Sequence, residues 1–175
     1  MISIAAAGPK ALLVADAIAR QSDLKRDIIV ARLAAGHRIV HVNAADGGLL
    51  AWGWIALPSA PIWLSWEAGV HLEIGAGVGY LFDFETMPNA RNHGLYRRLL
   101  DYAVRDCLAQ GASQVGIYCR AENDASRRGI LAAGFSPPKT LSVLRLGPFF
   151  RVAAHDRTHS GWLIRSVPLA DLLPT

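Results

Sequence analysis

Residues 85–100 read ETMPNARNHGLYRRLL, and this stretch gives the clearest indication of the fold. An apolar strand ends at Pro88, and a short turn leads to Gly94, which can adopt backbone conformations that other residues avoid. A helix is predicted directly after the glycine. Its first amides have no intrahelical acceptor, and the helix dipole adds partial positive charge there. With Arg91 nearby, the arrangement suits a pyrophosphate; an ordinary strand–turn–helix with a glycine hinge is the alternative.

Helical and strand periodicities extend outward from this turn. Before it, residues 78–87 read as a strand, and after it Leu95 to Leu108 carries apolar residues at helical spacing up to Gly111. The other predicted helices are 8–20, 23–35 and 124–133, and the other predicted strands are 38–44, 49–57, 113–120, 139–147 and 160–167. Residues 38–57 are expected to form a hairpin, whereas residues 58–79 are expected to be less regular.

The order of these elements predicts the fold class. It is α-α-β-β-loop-β-α-β-α-β-β, and the strand–helix–strand unit in the second half indicates a locally parallel, right-handed crossover. The expected architecture is α/β, a three-layer mixed sheet with helices on both faces. At 175 residues, the chain is expected to form a single domain spanning residues 1–175.

Composition excludes several function classes. The chain is 52% apolar, which supports a sizeable core, but no apolar run reaches the roughly 18 residues of a membrane span. The formal charge is +4, yet the arginines are scattered without interleaved aromatic residues, so neither a nucleic-acid nor a membrane partner is expected. Cys107 and Cys119 form neither a disulfide framework nor a metal site. We therefore expect a cytoplasmic protein without a metal.

Two short motifs in register resemble the GNAT superfamily of N-acetyltransferases. Residues 88–96 (PNARNHGLY) resemble its Arg/Gln-x-x-Gly-x-Gly/Ala acyl-CoA loop, which also follows a strand ending in proline. Residues 123–126 (NDAS), followed by Gly134 and Phe135, resemble the Asn-x-x-Ser/Ala…Gly-Phe segment of the next helix in that family. The resemblance covers roughly residues 38–147, and the order of elements agrees with it.

The resemblance implies a GNAT-like acyl-CoA N-acyltransferase fold with acetyl-CoA as co-substrate. Backbone amides of the turn would cradle the pyrophosphate, namely those of Arg91, Asn92, His93, Gly94, Leu95 and Tyr96. The strand backbone at Phe84 and Thr86 would pair with the pantetheine arm and help to hold the acyl carbonyl. Asn123 would hydrogen-bond the pantetheine, and Ser126 would lie near the cofactor.

The chain departs from the family pattern at two positions. Tyr96 stands where the loop motif has glycine or alanine, which requires its ring to turn away from the phosphates. Ile130 stands seven residues after Asn123, where many members carry a tyrosine that protonates the departing thiolate. Either another group supplies that proton, with Tyr118 as one candidate beside its expected core role, or the thiolate leaves unaided. A thiol of pKa about 8.5 is a tolerable leaving group.

Asp83 and Glu85 are the candidate catalytic residues. An amine is mostly protonated at neutral pH, so acetyl transfer needs a base, and carboxylates on the strand beside the cofactor suit that role. Strand alternation predicts that the two acids share one face, opposite Phe82, Phe84 and Thr86. Alternatively, they pair with arginines such as Arg91 or Arg120, or reach solvent.

The segment before this strand is the candidate acceptor site. The residues expected to bind substrate are Trp66, Glu67, His71 and Glu73. If the segment is helical, Glu67 and His71 share a face; if it is extended, His71 and Glu73 do. The alternative is a loop that packs its tryptophans and leaves its acids in water.

The sequence therefore predicts an N-acetyltransferase that moves an acetyl group from acetyl-CoA to the primary amine of a small molecule. The acceptor would be an amino sugar, an amino acid or a natural-product amine, attacking directly in a ternary complex. One alternative is a non-catalytic acyl-CoA-binding domain with a regulatory or scaffold role, and another is a protein N-acetyltransferase. The apolar C-terminal stretch allows a homodimer contact.

Overall fold

The computed structural model describes residues 1–6, 8–59, 62–65, 71–120, 122–136, 140–146, 149–155, 160–163 and 166–168. The chain divides into two compact units. The first comprises Met1–Leu57 and Gly79–Tyr118, and the second comprises Pro58–Val78 and Cys119–Thr175. The prediction of a single domain stays a prediction.

The first unit is built on a five-stranded sheet of order β1-β2-β3-β6-β7. Its strands are β1 (Ile2–Ala5), β2 (Arg38–Asn43), β3 (Leu49–Ala56), β6 (Val78–Thr86) and β7 (Gln114–Ile117). The pairs β1–β2, β2–β3 and β3–β6 are antiparallel. Strand β3 is almost entirely buried, as its continuous apolar sequence requires. The helices of this unit are α1 (Gly8–Gln21), α2 (Arg26–Ala34) and α3 (Leu95–Ala109).

Helices pack on both faces of this sheet. On one face, the guanidinium of Arg32 in α2 lies 5.2 Å from the ring centre of Trp54 and 5.1 Å from that of Phe82. On the other face, α3 approaches so closely that a Cβ on Gly79 would lie 2.9 Å from Cys107 Sγ. The three-layer α/β architecture is confirmed, and β7 lies next to β6 as the strand–helix–strand prediction requires.

Among its described residues, the second unit contains one helix and two small sheets. The helix is α4 (Asp124–Ala132), and the strands are β4 (Ile62–Ser65), β5 (His71–Ile74), β8 (Thr140–Leu146), β9 (Phe149–His155), β10 (Ser160–Leu163) and β11 (Ser166–Pro168). The sheet orders are β11-β5-β4 and β10-β9-β8. Strands β4 and β5 form an antiparallel pair, and β11 pairs with β5 in parallel.

The structure corrects several boundaries. Strands β1 and β9 were not predicted, and residues 58–79 contain the β4–β5 pair instead of an irregular segment. Helix α2 begins at Arg26 with Lys25 as its N-cap, three residues after the predicted start at Asp23. The cause is local. The hydroxyl of Ser22 accepts a hydrogen bond from the Leu24 amide, which stabilises a turn in place of the first helical turn. In the described ranges, no helix has the length and apolar character needed to cross a membrane.

Candidate functional site

The turn after β6 has the backbone geometry of an anion cradle. A single 3₁₀ turn, Pro88–Ala90, leads into exposed residues 91–94, and Asn92 and Gly94 have φ angles of +64° and +69°. Gly94 is the N-cap of α3, and its carbonyl accepts the Arg98 amide at 3.1 Å. Glycine has no side chain to cap a helix, so the first amides of α3 are available to an anion.

The side chain of Arg91 folds back onto the end of β6. Its Nε donates a hydrogen bond to the carbonyl oxygen of Thr86 at 3.1 Å. The hydrogen bond connects the turn to the end of β6, and it places the positive charge of Arg91 beside the end of this strand. It also engages the Thr86 carbonyl, one of the backbone groups that the family resemblance assigns to the pantetheine arm.

Tyr96 packs against the same strand. Its ring meets that of Phe84 edge-on, with centroids 6.0 Å apart and an interplanar angle of 79°. The ring is thus held against the strand, which accounts for a large residue at a position where the motif has glycine or alanine. An edge-to-face pair of this kind adds about 0.5–1.5 kcal/mol beyond simple burial.

A β-bulge interrupts β6 at Asp83 and Phe84. Trp54 pairs with Phe82 and Trp52 pairs with Glu85, so the single residue Gly53 opposes two residues of β6. Asp83 has a φ of +47°, which is uncommon for a residue with a side chain. The absence of a side chain at Gly53 leaves space for the Phe84 ring, which would lie 2.4 Å from a Cβ there.

The bulge changes which face Glu85 occupies. Paired residues on neighbouring strands point to the same face, so Glu85 lies on the face of Trp52, and Trp54 and Phe82 lie on that face too. The prediction that both acids lie opposite Phe82 is therefore wrong, because the bulge inserts one residue into the alternation. Phe84 instead lies on the Gly53 face.

Glu85 is partly buried, and its electrostatic environment suits a base. Burial raises the pKa of its carboxyl above the usual value. The positive charge of Arg91 partly offsets that rise, and the negative charge of Asp23 adds to it. Once ionised, a carboxyl with a raised pKa accepts a proton more readily than an ordinary glutamate.

Asp83 has a partner on another helix. Its Oδ2 lies 2.6 Å from Arg32 Nη2 of α2, and the two side chains are 40% and 23% exposed. Neither of the arginines suggested by the sequence, Arg91 and Arg120, is this partner. Arg32 was missed because it lies 51 residues from Asp83 along the chain, without a local pattern that links the two.

A row of aromatic rings covers the sheet face that carries Phe82, and this row was not predicted from the sequence. Phe82 stacks with Trp54 at 6.2 Å and with Tyr80 at 6.0 Å between centroids, and Tyr80 stacks with Tyr118 at 6.4 Å. Burial raises the pKa of Tyr80 far above its usual value, so its hydroxyl stays protonated. The sequence signal for the close approach of the Phe84 ring to Gly53 was a glycine between two tryptophans, Trp52-Gly53-Trp54, within a strand.

The sequence profile of the acetyltransferase (GNAT) family matches residues 17–135. The chain belongs to the GNAT acetyltransferase family. Its matched region contains β6, the turn at residues 91–94 and α3. Among curated proteins, no sequence matches the chain.

Solved GNAT structures share the fold at low sequence identity. An aminoglycoside N-acetyltransferase, AAC(6')-Iy in complex with CoA, is 16% identical with a TM-score of 0.59, over 83% of this chain and 98% of that one. A ribosomal-protein-alanine N-acetyltransferase from Brucella melitensis biovar Abortus 2308 is 12% identical with a TM-score of 0.58, over 83% and 99%. The ribosomal-protein-S18-alanine N-acetyltransferase from Escherichia coli is 16% identical with a TM-score of 0.59, over 81% of each chain.

The second GNAT motif lies in the second unit. Asn123 is the N-cap of α4, and its Oδ1 accepts the Ser126 amide at 3.0 Å. The hydroxyl of Ser126 hydrogen-bonds Cys119. Ile130, at the position of the usual family tyrosine, is buried in this GNAT chain and is 9% exposed. The cap engages Oδ1 of Asn123.

The predicted acceptor residues are only partly described. Trp66 and Glu67 lie outside the described residues. His71 and Glu73 lie two positions apart on β5, which is the extended alternative for this segment. Glu73 is half-buried and pairs in register with Trp63 of β4. Their roles in binding an acceptor stay predictions.

The thiols of this GNAT chain do not suit covalent catalysis. Burial raises the pKa of Cys107 to about 11, and burial also raises the pKa of Cys119. Thiols with raised pKa values are poor nucleophiles at neutral pH, because the thiolate is the reactive form. Over the described ranges, no group of three or more histidine, cysteine, aspartate or glutamate side chains could hold a metal ion.

Proposed function

We propose that this chain transfers an acetyl group from acetyl-CoA to the primary amine of a small molecule, by direct attack in a ternary complex. The observation that carries the proposal is the position of Glu85. A partly buried carboxyl with a raised pKa lies on the strand that leads directly into the anion cradle. The proposed base and the proposed cofactor site thus belong to consecutive parts of one strand and its turn.

The residues of the turn fit the pyrophosphate of acetyl-CoA. Two features of the backbone support this. Asn92 and Gly94 have left-handed backbone conformations, and the N-terminus of a 15-residue helix follows directly. Arg91 adds positive charge, and His93 is exposed in the same turn. The amides from Arg91 to Tyr96, including that of Leu95, would bind the phosphates, and the backbone at Phe84 would hold the pantetheine arm. Asn123 and Ser126 are proposed to contact the same arm.

Glu85 is proposed as the general base. The acceptor amine loses a proton to the Glu85 carboxylate, directly or through one water molecule, and its nitrogen attacks the thioester carbonyl. A C–N bond forms, the C–S bond breaks, and the CoA thiolate leaves with the electron pair. The second proton that the nitrogen loses as it becomes an amide passes to the thiolate or to solvent. A leaving group of pKa about 8.5 does not require a dedicated acid near neutral pH, which fits Ile130 at the usual tyrosine position.

The proposed acceptor is the primary amine of a small molecule. AAC(6')-Iy acts on aminoglycosides, and it shares this fold with the two enzymes that act on ribosomal proteins. The residues proposed to bind a cationic or hydroxylated amine are Trp66, Glu67, His71 and Glu73. Both cysteines are free, which is compatible with the proposed cytoplasmic setting. A homodimer remains part of the proposal.

The test is release of the CoA thiol from acetyl-CoA across a panel of amines. The panel contains amino sugars, amino acids, aromatic and aliphatic amines, and peptides with N-terminal alanine. Release with a small amine supports the proposal. Release with peptides alone would assign the enzyme to protein N-acetylation. If no amine drives release while acetyl-CoA still raises the Tm, the chain is a binding domain and the proposal fails.

A further inference from the structure

Asp83 is held in an unusual backbone conformation at the centre of the β6 bulge. Its φ is +47°, and the only other described residue with a side chain and a positive φ is Asn92. Left-handed backbone is unfavourable for residues with a Cβ, although aspartate and asparagine tolerate it better than most. A conformation of this kind persists only where surrounding contacts enforce it.

Arg32 supplies such a contact from helix α2. Its Nη2 lies 2.6 Å from Asp83 Oδ2, and its guanidinium lies 5.2 Å and 5.1 Å from the ring centres of Trp54 and Phe82. The arginine side chain is 23% exposed, and its Nη1 is buried without a hydrogen-bond partner among the described residues. Two aromatic rings and one carboxylate therefore fix the guanidinium, so this pair is more strongly constrained than a mobile surface ion pair.

The bulge decides on which face of the sheet Glu85 lies. With regular alternation, Glu85 would fall on the face opposite Phe82; with one inserted residue, it falls on the same face, paired with Trp52. The inserted residue also places the Phe84 ring against Gly53. Loss of the bulge would thus move both the proposed base and the strand segment proposed to hold the pantetheine arm.

We propose that the Arg32–Asp83 pair is a latch from α2 that holds the β6 bulge, and that Asp83 is a positioning residue for Glu85 and not the base. The inference rests on the proposed function, because it assigns Glu85 the proton transfer. It concerns the backbone conformation of β6. It predicts a larger effect for a substitution of Asp83 that does not tolerate a positive φ than for one that does.

The test compares Asp83→Gly, Asp83→Asn and Asp83→Ala. All three lack the carboxylate, but glycine adopts positive φ freely and asparagine tolerates it, whereas alanine does not. If Asp83 positions the strand, kcat falls about tenfold or more in Asp83→Ala and distinctly less in the other two variants. The ascending limb of the pH profile, set by Glu85, persists in the glycine and asparagine variants.

Arg32 variants test the other half of the latch. Arg32→Met removes the same ion pair and leaves at position 83 a residue that tolerates a positive φ, so it is expected to lower kcat about as much as Asp83→Asn. Arg32→Lys keeps the charge and restores part of the loss. Circular dichroism and Tm confirm that each variant is folded, so a fall in kcat is separated from a general loss of structure.

Three outcomes would overturn the latch. If the three Asp83 variants lose activity equally and also lose the ascending limb, Asp83 is the base. If none of them differs from the wild type, or if Arg32→Met is fully active, the pair has no positioning role. Should the wild type release no thiol with any amine, the proposed function fails on its own. In that case the latch is tested by the affinity for acetyl-CoA, measured by calorimetry. This affinity is expected to weaken more in Asp83→Ala than in Asp83→Gly.

Discussion

The ring of Phe84 lies directly against the backbone of Gly53, where a Cβ would be 2.4 Å from the ring. Any side chain at Gly53 therefore has to displace Phe84 or the strand that carries it. Gly53 itself is buried within strand β3. This contact links the middle of the sheet to the segment proposed to hold acetyl-CoA.

Gly53→Ala is expected to destabilise the fold by about 1–3 kcal/mol, the usual cost of overpacking a core. Gly75→Ala is the matched control. The nearest atom to its new Cβ would be Val78 Cγ2 at 3.7 Å, an ordinary van der Waals distance. Thermal unfolding of both variants checks the prediction. Equal Tm values for Gly53→Ala and the wild type would show that Phe84 moves without cost.

Gly94→Ala tests the anion cradle. A Cβ at Gly94 would meet nothing within 4 Å, so the substitution acts only through the φ of +69°. That conformation costs an alanine about 1–2 kcal/mol, and acetyl-CoA affinity is expected to fall several-fold. Gly111, with a φ of +89° at the far end of α3, is the control: Gly111→Ala loses similar stability and keeps its acetyl-CoA affinity in calorimetry. Equal affinity losses would contradict the cradle.

Arg91 is expected to set the pH at which Glu85 becomes active. Its positive charge holds the pKa of Glu85 below the value that burial alone would give. Removing the charge in Arg91→Gln raises that pKa further, so the ascending limb of kcat/KM moves to higher pH. Arg91→Lys keeps the charge and shifts the limb less. If the ascending limb stays at the wild-type pH in both variants, a group other than Glu85 titrates there.

His37 is expected to make the fold sensitive to mild acid. Burial lowers the pKa of His37 below 6.5, and the positive charge of Arg32 lowers it further. The unfolded chain therefore binds a proton more readily than the folded chain. The stability that the neutral His37 contributes is fully present above pH 6.5, and it is lost as the pH falls through the lowered pKa. Urea unfolding between pH 7.5 and 5 should show this loss in the wild type and less of it in His37→Gln. His41→Gln, the control, should keep the wild-type dependence.

Much of the fold could be predicted because its elements carry clear periodicity. The strand at β6, the turn and the helices α3 and α4 all follow from local residue types, and so does the position of Gly94. Strands such as β1, with four residues, are too short to produce a distinctive alternation. The β4–β5 pair was obscured by prolines and glycines around it.

The arrangement of the candidate site depends on contacts that a local pattern does not encode. The face of Glu85 is decided by a bulge, and the bulge depends on the space at Gly53 in another strand. The ion pair of Asp83 depends on Arg32, in a helix far away in sequence. Alternation applied to β6 alone therefore assigned Glu85 to the wrong side of Phe82.

The most direct test of the account is the pH dependence of amine-driven thiol release in the wild type and in Glu85→Gln. In the wild type, kcat/KM should rise with pH through a pKa above the usual glutamate value, since the ionised carboxylate is the active form. Glu85→Gln should lose about 10²-fold or more in kcat, keep its affinity for acetyl-CoA, and lack the limb. An unchanged kcat with the same limb in Glu85→Gln would contradict the assignment of Glu85 as the base.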